Sequence, residues 1–474
     1  MAKPSSRYLL SRMIVLFLVF MSIPCAPFFP ARTAHAIQTG QPVMPAILHL
    51  HPLLSAAINA KTGVSLPCLA NIAPPLCYSP QQIRRAYDIE PLVSGGVRGQ
   101  GRSIVIIDDY QDPTLLADLA LFDKLFGLNE PQLNIVAPFG LHPFDPRSSA
   151  AIGFSLEIAL DVQWAHAIAP DATINLVLGN PAGDTVRQQI DGIISGTEYA
   201  VANNLGDVIS LSVGLGETCY TAEEMQRWHQ AFRLAREKHI SVLASSGDSG
   251  SAAAICNGTG EPVTEGQGVN YPASDPLVSG VGGTTLLASQ KGEYLGEMVW
   301  NRSTSDAGAT GGGFSVLFPR PAFQDEVPGI KMMRGVPDIA YNGDPFTGFP
   351  VVTSSFFPGM TIILPVGGTS AGAPQWAAVI ALCNQIAGRR LGFLNSALYH
   401  ISKDGLSAKA FHDITIGNNA FTFHNEKGAV QTIPGFDAEH GWDPTTGLGT
   451  PKTARLSTIL ALAENTVDDG VDAS

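Results

Sequence analysis

Four residues in this 474-residue chain are of types and spacings that could do chemistry together. Glu157 and Asp161 stand four apart in FSLEIALDVQWAHAIAP. That spacing puts both carboxylates on one helix face, and no lysine or arginine lies three or four residues away to neutralise either. Two carboxylates ~5–6 Å apart on a partly buried face repel by a few kcal/mol at an effective dielectric near ~20. One proton is then shared into mildly acidic pH, and such a pair serves as a base only in acid. Ser370, in GGTSAGAP ahead of the apolar run QWAAVIALCNQIAG, stands where a helix begins. Unpaired N–H groups and the helix dipole favour developing negative charge there. Gly368, Ala371 and Gly372 leave room for a substrate backbone, although a serine in this place could equally be a helix cap. Asp248 closes ISVLASSGDSG between Gly247 and Gly250, either at the mouth of a parallel sheet or as an ordinary turn residue.

A nucleophilic serine needs a base, most often a histidine. None of the ten histidines after residue 36 has a recognisable catalytic context, and His166, the nearest to one, runs into Ala-Ile-Ala-Pro at a helix end. The base is expected to be a different residue type.

The elements that must hold these residues can be read from periodicity. SIVIID, TINLVLG, DVISLSVG and SVLASSGD are continuous apolar or β-branched runs, and helical patterns are expected at 155–168, 184–203, 221–238, 371–387 and 392–402. The alternation predicts an α/β fold with a mostly parallel central sheet covered by helices on both faces. No Pro/Ser-rich or charged linker interrupts 79–463, which therefore reads as one domain. Glycine-rich stretches at 279–285, 309–315 and 342–350 suit close backbone approach at a site, or simple surface turns.

Residues 1–36 have a basic start, an apolar run and Ala34-His35-Ala36, the pattern of a removed secretory signal peptide. Taking away its four basic and no acidic groups leaves 24 basic against 41 acidic residues. That balance disfavours nucleic acid and anionic membranes as partners. No later apolar run is long enough to span a bilayer, and the product is expected to be secreted or periplasmic and monomeric. Five cysteines then remain in an oxidising compartment. The loop spacings suggest Cys68 with Cys77 and Cys219 with Cys256, leaving Cys383 buried and free, though other pairings are open. Residues 37–78 form an N-terminal segment, and the acidic 464–474 stretch is expected to be a disordered tail.

Glu157-x-x-x-Asp161, SSGDSG, YPASDPLVSGVGGTTL, RGVPDIA and GGTSAGAP, in this order, resemble the sedolisin family of serine-carboxyl peptidases over about residues 76 to 455. The resemblance implies a three-layer subtilisin-like fold, with Ser370 as nucleophile, Glu157 as its base, Asp161 orienting Glu157, and protonated Asp248 as partner of the oxyanion. It also implies one structural calcium ion held by Asp413, Ile414, Glu439, Gly441 and Asp443, two carboxylates with backbone carbonyls forming a hard oxygen site. Three departures stand out. Only about 40 residues separate Ala36 from the match where the family carries a long prodomain; Val213 stands where many members have tryptophan; Asp108 and Asp109 stand where some have glutamate. Glu439 also replaces a small residue of many relatives. The function expected is peptide-bond hydrolysis in acid through an acyl-enzyme, as endopeptidase or tripeptidyl peptidase, on peptide or unfolded protein. The alternatives are an exported binding protein on the same fold and a subtilisin-like protease using Asp108, for which a histidine motif is lacking.

Overall fold

The computed structural model describes residues 75–463 apart from 180–182, 184, 259, 358, 426 and 427, together with Cys68 and the two-residue strands His49–Leu50 and Ala56–Ala57. The expected signal peptide and acidic tail lie outside the described residues.

The main sheet contains β1 (Ser103–Asp108), β2 (Gln132–Val136), β3 (Thr173–Leu178), β4 (Val208–Leu211), β5 (Ser241–Ser245), β6 (Ser279–Ala288), β7 (Tyr294–Val299) and β8 (Ile339–Asn342). Its order is β7-β6-β5-β4-β1-β3-β2, with β8 also pairing β6. All pairs are parallel except β6 with β7. Strand alternation in β1 divides the core. Ile104 and Ile106 join the cluster containing helices α1 (Ser149–Ile168) and α4 (Thr369–Ala387), whereas Val105 and Ile107 join α2 (Val186–Ala202) and α3 (Ala222–Glu237) on the other face. Helices on both faces of a mostly parallel sheet make three layers, as expected from the apolar runs.

Helix α1 begins six residues before the sequence expectation, because Ser148 caps it by accepting from Ala151 N–H. Every residue from Phe154 to Ile168 is buried. An all-round buried helix has no polar stripe, so a carboxylate on it sits in the core. The face expected to be partly buried is in fact fully buried, with Glu157 and Asp161 at 0% exposure.

Helix α4 follows a hairpin of β9 (Phe349–Phe357) and β10 (Met360–Gly367). The strands at 49–50 and 56–57 pair antiparallel with the other side of β10, so the strand leading to Ser370 is flanked on both sides. Pro374 lies inside α4 and cannot donate to the carbonyl of Ser370. That carbonyl instead lies 3.3 Å from Ser212 Oγ.

Both expected disulfides are formed, Cys68 with Cys77 and Cys219 with Cys256, and Cys383 is buried and free. Among the described residues no helix is long and apolar enough to cross a membrane.

Candidate active site

The four sequence-selected residues come from three elements. Glu157 and Asp161 project from α1, Asp248 follows the C-terminal end of β5, and Ser370 is in the first turn of α4. All four are buried, Asp248 with 6% exposure and the rest with none. Ser370 does not cap its helix. Gly368 occupies the cap position, no side chain caps the helix start, and the serine Oγ closes no hydrogen bond among the described residues.

Ser370 Oγ is near enough to Glu157 to favour its charged form, without closing a hydrogen bond. Asp161 interacts with Glu157 in turn, and its Oδ2 accepts from Ser212 Oγ at 2.7 Å. Asp248 Oδ1 accepts from the N–H and the hydroxyl of Thr369, each at 2.8 Å. Its other oxygen is unpartnered and lies toward Gly368 and the serine. Asp108, at the end of β1, has both oxygens unpartnered and acts electrostatically on Asp161 and Glu157.

Among the described residues no cation neutralises this cluster, so desolvation dominates its titration. Burial pushes Glu157 well above the usual carboxylate range, and the nearby Asp161, Asp108 and Asp248 charges push it further. Burial likewise drives Asp161 to about 8, against the opposing Ser212 hydrogen bond and the Glu157 contact. Asp248 rises to about 7 by burial, tempered by the two Thr369 donors. Asp108 rises by burial and then by the charges of Asp161 and Asp109. Two histidines of the described core are engaged elsewhere: His166 contacts Asn129 and Asp123, and His229 contacts Asp275.

The three glycine-rich stretches all serve the site. Gly368 N–H donates to Gly343 O at 2.7 Å, Gly311 N–H to Gly247 O at 2.7 Å, and Ala309 N–H to Asp248 O at 2.9 Å, while 279–285 lies within β6 beneath them. A Cβ on Gly311 would collide with the Ser246 carbonyl. Gly368 has φ +131°, and its Cβ would sit 2.8 Å from Asp248 Oδ2. Ser212, between Leu211 and Val213, and Thr369, between Gly368 and Ser370, carry no distinguishing pattern in the sequence, since a lone hydroxyl in such a place is common.

The residues linked to calcium also meet. Asp413 accepts from Gly441 N–H, and Asp443 accepts from the N–H groups of Glu439, Thr445 and Thr446. The carbonyls of Ile414, Glu439 and Gly441 accept no hydrogen bond among the described residues. No group of three or more acidic, histidine or cysteine side chains forms a metal cluster among the described residues. A donor set of two carboxylates and free carbonyls is of another kind, and it fits a hard cation.

A mostly parallel sheet between two helical layers, with a serine at a helix start faced by carboxylates and, among the described residues, hydrogen-bonded to no histidine, is an arrangement of the subtilisin-like, serine-carboxyl kind. The chain is 35% identical over 400 residues to kumamolisin of Bacillus sp. (strain MN-32), covering 82% of this chain and 64% of that protein. The similarity points to the sedolisin family of serine-carboxyl peptidases. Sedolisin of Pseudomonas sp. (strain 101) is 31% identical over 273 residues, 57% of this chain and 43% of the relative. The structure of Pseudomonas sedolisin complexed with two molecules of pseudo-iodotyrostatin superposes with TM-score 0.67 at 27% identity, covering 81% of this chain and 97% of that one. The chain spans less than two thirds of the length of these two curated relatives. No family model matches it.

Buried carboxyls with raised folded-state values favour the native state while protonated, and they lose that contribution as pH rises from the unfolded value near ~4 toward the folded one. The melting temperature should therefore be highest near pH ~4 and fall by roughly 5 °C or more by pH ~8. Asp248→Asn should flatten the part of that slope below about 7. Calorimetry across this range checks both, and a melting temperature rising toward pH 8 would contradict the assignment.

Proposed function

We propose that this chain is an exported, acid-acting serine-carboxyl peptidase. The observation supporting this most directly is that buried Ser370 faces Glu157 within a set of acids, while among the described residues no hydrogen bond joins a histidine to any of them. In this reading Ser370 Oγ attacks the peptide carbonyl carbon as Glu157 takes the hydroxyl proton. The oxyanion accepts a hydrogen bond from protonated Asp248. The carbon–nitrogen bond then breaks, Glu157 returns its proton to the leaving amine, and an acyl-enzyme remains. Water, activated by Glu157, attacks the ester and releases Ser370. Asp161, held by Ser212, orients Glu157. The substrate is a peptide or unfolded protein, cut internally or as N-terminal tripeptides. The acidic composition and the two disulfides accord with a secreted or periplasmic protein.

We also propose one structural calcium ion at Asp413, Ile414, Glu439, Gly441 and Asp443. When bound, it would neutralise the two carboxylates and fasten the loop at 439–443 to the segment at 413–414. It has no part in the bond-breaking steps.

Ser370→Ala and Glu157→Gln should each reduce kcat on a denatured protein by about 10³-fold or more while the fold is kept, and the double variant should be scarcely worse than either alone. Mass-spectrometric mapping of the products reads this out. Ordinary turnover by folded Ser370→Ala would refute the peptidase reading.

The activity profile should be bell-shaped, because Glu157 must accept a proton while Asp248 must keep one. Its acid limb belongs to the coupled Glu157–Asp161 pair as a unit, and activity requires that pair to give up one proton at a pH where Asp248 still holds its own. Its alkaline limb should fall near the Asp248 value of about 7. Asp248→Asn cannot ionise, so a folded variant should keep some activity with the alkaline limb moved upward. An active variant with the limb unmoved would assign that limb to another group.

Chelation should lower the melting temperature and speed inactivation, since an ion bound only by the folded state stabilises it by mass action. Asp443→Ala should be insensitive to added calcium. A melting curve unchanged in strong chelator, with metal analysis confirming removal, would withdraw the site.

A further inference from the structure

Asp248 has two oxygens, and only one is useful as a donor to an oxyanion. The buried Thr369, immediately before the nucleophile, discriminates between them. Its backbone N–H and its hydroxyl both meet Oδ1, each at 2.8 Å. The hydroxyl oxygen is itself an acceptor, taking the Gly247 N–H at 3.0 Å. Among the described hydrogen bonds the hydroxyl proton has no acceptor other than Oδ1. A proton on Oδ1 would turn that bond around and leave the threonine proton buried and unpaired, at a cost of roughly 1–3 kcal/mol. Oδ2 has no such donor. A Cβ placed on Gly368 would lie 2.8 Å from Oδ2 and 3.3 Å from Ser370 Oγ, so Oδ2 is the oxygen on the serine's side.

We propose that Thr369 is a positioning residue that keeps the Asp248 proton on Oδ2, the oxygen that faces the reacting carbonyl. The proposal rests on the reading of Asp248 as oxyanion donor and adds the group that selects which oxygen donates. A carboxyl proton that is equally at home on both oxygens is misplaced half the time; here the side facing helix α4 is reserved for accepting. Among the described residues the titratable group acting on Asp248 is Glu157, backed by Asp161 and Asp108. All three are acids, so none supplies a competing donor while ionised.

Thr369→Val keeps the branched shape and the backbone N–H but removes the hydroxyl, and Thr369→Ser restores it. The valine variant should lose kcat by about tenfold or more, with KM changed less than about threefold, as for a hydrogen bond that matters in the transition state. Its alkaline limb should move upward by about one pH unit, because a donor favouring ionised Asp248 is gone. Serine should recover both properties to within about twofold. A folded valine variant with unchanged kcat and limb would overturn the proposal, as would a lower kcat with an unmoved limb while Asp248→Asn does move it. Should the valine variant not fold, neutron diffraction on the parent protein in acid decides the point. A deuteron on Oδ2 is expected, and one on Oδ1 overturns the proposal. If Asp248→Asn leaves the limb in place, the donor reading of Asp248 fails, and the neutron density still reports whether Thr369 selects the oxygen.

Discussion

Two carboxylates on a helix that is buried on all sides, with no cation among the described residues to pair them, set the terms for everything around them. Desolvating a charge costs far more than desolvating a hydroxyl, so Glu157 and Asp161 are tolerated in the core chiefly as proton-bearing groups. The surrounding polar partners follow from that. Ser212 and Thr369 offer hydroxyls rather than ammonium or guanidinium groups, which would fix the acids in their charged form. The nearest further ionisable groups, Asp108 and Asp248, are acids as well. The excess of acidic residues over the whole chain has the same sense.

The backbone meets the same constraint by close approach. Sheet, loop and helix start are tied together by N–H to carbonyl bonds among residues 247–248, 309–311, 343 and 368. Contacts of that kind need glycine where a Cβ would intrude, at Gly311 and Gly368 in particular. Pro374 adds a second compromise: it releases the Ser370 carbonyl from the helix ladder, and Ser212 reaches toward that carbonyl and toward Asp161 at once. The hydroxyl thereby links the two helices that carry Ser370 and Glu157.

Much of this was legible in the sequence. Continuous apolar runs identified β1, β3, β4 and β5, and the four-residue spacing of Glu157 and Asp161 put them on one helix face. What the sequence hid has physical reasons. The first turn of α1, SAAIG, is small and weakly patterned, so its start depends on a cap at Ser148 that is one serine of a pair. Full burial of the carboxylates depends on packing from α4 and the hairpin before it, distant in the chain. The glycine-rich stretches could have been surface turns, because density of glycine does not say what approaches. Ser212 and Thr369 acquire meaning only once Asp161 and Asp248 are beside them. Ordered motifs revealed the family where individual residues could not, because no single hydroxyl or acid differs locally from a cap or a turn.

The short strands at 49–50 and 56–57 alter how the chain ahead of the catalytic fold is to be regarded. They occupy the side of β10 away from β9, and β10 runs straight into the glycines before Ser370. A shortened form beginning near Tyr78 would leave that row of N–H and carbonyl groups unpaired, a template for another extended chain. Trimming at this end is thus a change to the sheet that supports Ser370, and two preparations differing only there are different molecules at their most sensitive strand.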